Sequence, residues 1–180
     1  MTALRAAITI TWLVFWVYWL ISAAGVKEAV GRRRLRSPGF LIIVAGAVIL
    51  RIFHVNTQVV HSTVLAGIGA VVFAAGLALA VWARVHLGRN WGMPMTQKKD
   101  PELVTSGPYR FVRNPIYSGI LLGMIGTALA ISLWWLVITL VVGAYFIYSA
   151  RVEEGIMANA FPDTYPGYRS HTKMLIPFVL

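Results

Sequence analysis

The sequence predicts an all-α, polytopic membrane helix bundle with about five transmembrane helices, and three observations carry that prediction. Of the 180 residues, 58% are hydrophobic and 12% charged, whereas a soluble domain holds roughly 25% charged residues. Charge-free apolar runs recur along the chain, and a charge at a membrane-helix centre costs ~2.5–3.5 kcal/mol. The lysines and arginines collect in alternate gaps between those runs. Composition excludes disorder, a collagen-like fibre and a secreted disulfide scaffold. With no cysteine there is no thiolate nucleophile and no cysteine metal site. A net charge of +10 would suggest nucleic acid in a soluble chain. Here it marks topology, and no nucleic-acid partner is expected.

Taken in order, the predicted spans are 6–26, 37–53, 62–83, 114–131 and 133–150. The first ends near a small-residue stretch that resembles a signal cleavage site, but Trp12, Trp16 and Trp19 make it too bulky, so it reads as a retained helix. The second is short and contains Arg51, which must snorkel to the interface. The third is a clear charge-free run. Residues 114–150 hold no charge over a length close to twice the ~20 residues of one crossing. They must form a hairpin, broken near Ser132, where Trp134 and Trp135 resemble interfacial anchors. A loop, 84–113, and a tail, 151–180, complete a single integral membrane domain.

Fourteen lysines and arginines lie in the gaps on one side of this arrangement and two on the other. The positive-inside rule puts the amino terminus outside and the carboxyl terminus, loop and tail in the cytoplasm. Removing the second span would erase the asymmetry.

Some features read as structural. Gly67 and Gly69 begin a dinucleotide-like pattern with no strand before them, and Gly119 with Gly123 has the small-xxx-small spacing of close helix packing. The histidines, at 54, 61, 86 and 171, show no ligand spacing, so no metal site is expected. His86 opens the basic loop and stays a weak functional candidate.

Two segments hold the unusual chemistry. In 103–119, Gly107-Pro108 reads as a turn, Asn114 falls at a helix N-cap and Pro115 in the first turn, a start suited to an acceptor-rich ligand. Directly after the last span comes Arg151-Val152-Glu153-Glu154. Glu153 either pairs with Arg110 or Arg113, or serves as a carboxylate that accepts ligand hydrogen bonds. Phe161, Tyr165 and Tyr168 then make an aromatic, irregular tail.

At these residues the chain resembles the isoprenylcysteine carboxyl methyltransferase family and its phospholipid methyltransferase relatives, over roughly 84–180. The stretch Leu103-Val104-Thr105-Ser106-Gly107, with Tyr109 and Arg113-Asn114-Pro115-Ile116-Tyr117, is similar to the family's cofactor motif. Leu87-Gly88-Arg89-Asn90-Trp91 resembles its upstream signature, and Glu153-Glu154 with Phe161, Tyr165 and Tyr168 its carboxyl-terminal motif. Five spans resemble the smaller prokaryotic members, which implies a prokaryotic cytoplasmic membrane. The resemblance implies S-adenosylmethionine bound in a cytoplasmic pocket without a Rossmann domain. Glu102, Leu103, Val104, Tyr109, Arg113, Asn114, Pro115, Ile116 and Tyr117 would line the cofactor and Glu153 would hold it. Two departures stand out. Asn114 replaces the family's usual histidine, and Ser149 stands where eukaryotic members place the arginine that meets the acceptor's carboxylate, with Arg151 displaced from it.

The activity implied is methyl transfer from S-adenosylmethionine to a lipophilic or membrane-associated small acceptor, with membrane lipids as neighbours. Arg151, Glu154 and Tyr165 are the candidate catalytic residues, the last two as bases for an amine acceptor. Isoprenylcysteine carboxyl methylation, an NADPH-dependent sterol-reductase-like enzyme and a non-catalytic scaffold or transporter are the alternatives.

Overall fold

The structure, a computed structural model, describes residues 2–22, 60–91 and 101–179. The predicted second span, His54 and the middle of the basic loop lie outside the described residues. Within them the chain is helical: α1 Thr2–Ser22, α2 Thr63–Leu87, α3 Pro115–Ala130, α4 Trp135–Ala160 and α5 Tyr165–His171, with short 3-10 turns at Gly88–Asn90 and Gly107–Arg110. Strand pairing among the described residues is limited to one parallel bridge, Val112 with Lys173.

Helices α1, α2 and α4 are long and apolar enough to cross a membrane, while α3 is a shorter apolar helix. Each boundary has a local cause. The Ser62 side chain accepts a hydrogen bond from the Leu65 amide and caps α2. Pro115 starts α3, where its missing N–H is harmless. The hairpin breaks at 131–134, around the predicted Ser132, which is buried. Two helices run beyond the spans predicted for them: α2 continues past Ala83 to Leu87, and α4 past Ala150 to Ala160. Charge marks where the membrane ends, but Arg151–Ala160 contains no proline and one glycine, so the helix propagates beyond the apolar run.

The α2–α3 interface is built on glycine. A Cβ at Gly119 would lie 2.6 Å from the Ala80 amide nitrogen and from the Gly76 carbonyl oxygen, and one at Gly69 would lie 2.5 Å from the Ala130 nitrogen. Without side chains at these positions the two backbones touch. The small-residue spacing thus has the packing role expected of it, and Gly69 belongs to a helix contact. Helix α1 docks through Ile8 and Phe15, both buried, and its Trp12 indole N–H donates to Thr127 Oγ1 on α3 at 3.0 Å. Helix α4 joins through Phe146, stacked on Tyr117 at 4.4 Å between ring centroids.

Candidate active site

The site forms where the ends of α2, α3 and α4 meet the tail. Before α3, Gly107 takes φ +58°, and a Cβ there would lie 2.7 Å from the His86 ring. Glycine is required on both counts. His86 bonds Ser106 at 2.8 Å and stacks on Tyr109. Tyr109 is buried, its hydroxyl donating to the Ala83 carbonyl at 3.4 Å. Burial raises the pKa of that hydroxyl above its ordinary value, with Tyr168 and Glu153 adding to the rise.

The tail is pinned across the start of α3. The amides of Arg113 and Asn114 donate to the carbonyls of Lys173 (2.8 Å) and Met174 (3.0 Å), and Leu175 is buried. Asn114 occupies the N-cap position but makes no side-chain cap. Its amide nitrogen donates instead to the Met174 carbonyl at 3.2 Å. Asn114 thus holds the N-cap position expected of it, while its side chain ties the tail to the start of α3.

Arg113 is the knot of the mouth. Its Nε donates to Glu154 Oε1 at 2.7 Å and its Nη2 lies 2.7 Å from the same oxygen, while Nη1 donates to the carbonyls of Arg169 (3.3 Å) and Thr172. Arg113, one of the two partners considered for Glu153, thus pairs with Glu154. Glu153 Oε1 accepts from the Tyr117 hydroxyl at 2.6 Å. The Tyr168 hydroxyl donates to the Tyr109 carbonyl at 2.7 Å, which ties α5 to the turn before α3. Burial pushes the Tyr165 hydroxyl up to about 12, helped by neighbouring Glu154. Burial, then Tyr165, moves Tyr168 likewise to about 12.

These elements enclose an open cleft of about 930 Å³. Of the predicted cofactor residues, Glu102, Leu103, Val104, Tyr109, Arg113, Asn114, Ile116, Tyr117 and Glu153 line it, and Pro115 is buried outside its wall. Glu154 and Tyr165 also line it. Arg151 does not: it is exposed, because two residues before Glu153 the helix has turned by roughly 200°. Ser149 is fully buried and also outside the wall, its Oγ without a partner.

Below the mouth the cleft continues between α1, α3 and α4, through Trp12, Trp16 and Trp19 on one side and Ile120, Met124 and Val142 on the other, down to Trp135. From Glu153 to Trp135 along α4 is about 27 Å at 1.5 Å per residue. Sequence reasoning missed this arm. Its signal was the tryptophan spacing i, i+4, i+7 in α1, one stripe of a helix. Charge is distributed unusually too. Among the described lining residues there are three carboxylates, Glu102, Glu153 and Glu154, and one cation, Arg113, in a chain of net charge +10.

Residues 64–164 match the phospholipid methyltransferase family. A protein-S-isoprenylcysteine O-methyltransferase of Schizosaccharomyces pombe is 31% identical over 101 residues, 54% of this chain and 43% of the relative. The cobalt-zinc-cadmium resistance protein CzcN of Cupriavidus metallidurans is 32% identical over 94 residues, 51% of this chain and 43% of the relative. The matches thus cover under half the length of these curated relatives. Among the described residues of this chain no group of three or more His, Asp or Glu is placed to hold a metal ion. The family match spans more than half of the chain and includes the turn, the start of α3 and both glutamates of the mouth; the chain belongs to the phospholipid methyltransferase family.

Proposed function

We propose that the protein is an integral membrane methyltransferase that moves a methyl group from S-adenosylmethionine to a lipophilic acceptor. One observation carries the reading: a polar, acid-lined mouth continuous with an apolar arm, together about 27 Å from Glu153 to Trp135. A volume of about 930 Å³ stands at the upper end of the roughly 300–1,000 Å³ of ligand pockets, room for a polar cofactor and part of an acceptor together. The residues suit this cofactor. Three carboxylates complement a ligand that carries sulfonium, ammonium and ribose hydroxyl donors, and the rings of Tyr109 and Tyr117 on the wall suit a sulfonium.

When bound, the cofactor supplies an electrophilic methyl for in-line displacement. The protein's task is alignment and exclusion of water. Glu153, held by Tyr117, accepts hydrogen bonds from the cofactor. Leu103, Val104 and Tyr109 line one side, and the tail closes the mouth through Arg113. The arm between α1, α3 and α4 receives the acceptor's apolar part from the bilayer. The basic flanks orient the mouth to the cytoplasm, with the amino terminus outside. A base is in short supply: Tyr165 keeps its proton at neutral pH, and Glu154 is engaged by Arg113. An acceptor that presents a lone pair without losing a proton first and brings no negative charge to this acid-lined wall, such as a thioether or an uncharged amine, fits the mouth best.

Calorimetry on purified protein in nanodiscs tests the reading. Binding of S-adenosylhomocysteine without binding of NADPH is expected. Binding of NADPH alone would favour a reductase, and binding of neither a scaffold. Methyl transfer to a panel of alkyl thiols, phosphatidylethanolamine and a farnesylcysteine analogue then identifies the acceptor.

A further inference from the structure

The cleft contains one described guanidinium, and a glutamate of the same wall already occupies it. Arg113 and Glu154 both show side-chain exposure of 9%, and two guanidinium nitrogens lie 2.7 Å from one carboxylate oxygen. The third nitrogen donates to tail carbonyls, so the fork has no direction left for an incoming anion. The other charges on the described wall, Glu102 and Glu153, are negative. Arg151, the next cation along α4, is exposed and faces away.

We propose that Glu154 is a specificity-determining residue: by holding Arg113 it closes the cleft to acceptors whose head group is a carboxylate. This rests on the reading of the cleft as a lipophilic acceptor site and narrows its substrate class to acceptors uncharged at the reacting end. The physical ground is competition for one fork. An acceptor carboxylate entering the mouth must displace Glu154 from Arg113 and leave that glutamate with the longer 3.7 Å contact to the exposed Arg169, beside two other carboxylates. A neutral head group displaces nothing. Glu154→Gln keeps the shape and one acceptor oxygen but gives up the charge, so Arg113 becomes available to an anion.

The experiment compares nitroxide-labelled stearate with its stearamide analogue, in nanodiscs at pH 9, by quenching of the tryptophans that line the arm. The wild-type protein is expected to bind the amide more tightly. In Glu154→Gln the preference should shift toward stearate by about tenfold, the size of one charge-assisted hydrogen bond. Glu153→Gln removes an equal charge from the wall without releasing Arg113, and should shift it by less than half as much on a logarithmic scale. Equal shifts in both variants would assign the effect to wall charge alone and overturn the role of Glu154. Wild-type preference for stearate would overturn it too, whether or not the variants fold. If the wild type binds neither probe yet binds S-adenosylhomocysteine, the acceptor arm is misassigned; if it binds none of the three, the methyltransferase reading itself falls.

Discussion

Two adjacent glutamates at the mouth have separate partners, and their substitution should separate two effects. Glu153 is held by Tyr117 and faces the cleft, so Glu153→Gln should weaken S-adenosylhomocysteine binding by roughly tenfold to a hundredfold, the ~1.5–3 kcal/mol of a hydrogen bond to a charged group. Calorimetry reads it, and unaltered affinity would remove Glu153 from the cofactor's contacts. Tyr165 gives a prediction about pH. Its hydroxyl ionises near 12 in the folded protein against an ordinary 10.0, so the phenol is neutral throughout pH 7–9 and cannot take a proton there. Tyr165→Phe should therefore leave the shape of the pH–rate profile in that range unchanged. The sign for stability follows: the raised pKa favours the fold below pH 10, and that contribution fades as pH climbs toward 12. At this scale the residue types of the mouth were legible in the sequence, while the pairing was not. Glu153 and Glu154 differ by about 100° around one helix, and only the position of the tail decides which of them meets Arg113.

Helices α2 and α3 touch through backbone, which sets how they can fail. A Cβ on Gly76 would press on the Gly123 backbone nitrogen, and one on Gly126 on the backbone of Phe73. Backbone cannot move aside as a flexible side chain does. Gly76→Leu should cost at least the ~1–3 kcal/mol of overpacking, seen as a lower unfolding midpoint in detergent, whereas Leu at Gly143, where the nearest atom is 3.7 Å away, should cost much less. Equal effects would remove the close-packed interface. Helix existence and the hairpin break were legible because charge-free runs and a Ser-Leu-Trp-Trp boundary are local signals. The end of α4 was not, since residues 151–160 combine charge with good helix formers, and charge alone says nothing about where hydrogen bonding stops.

For the whole molecule, the charge asymmetry of fourteen against two demands an odd number of crossings if the described helices alternate. Reporter tags should find the amino terminus outside and the carboxyl-terminal tail in the cytoplasm. Both on one side would mean an even count and a different account of the 37–53 run. The large-scale plan was readable because lipid imposes one rule, the segregation of charge from apolar length. The cleft was only half readable: its acid-rich mouth lies in two continuous motifs, but its apolar arm is shared among three helices whose contacts no local pattern records.

The bridge between Val112 and Lys173 joins segments about sixty residues apart, and this fixes an order of events during synthesis. A chain made from its amino end can insert α1, α2, α3 and α4 before the strap that roofs the mouth exists. Until residues 165–175 emerge and thread past Arg113, the nascent protein is a set of inserted helices with an unroofed cleft. A stop codon at Tyr165 should accordingly yield a protein that still resides in the membrane, resists alkaline extraction and has lost S-adenosylhomocysteine binding. Retained binding would show that the first 164 residues build the pocket by themselves. On the methyltransferase reading, completion of the pocket is then a step that follows insertion, and the truncated chain should keep its apolar helices without the roof of the mouth.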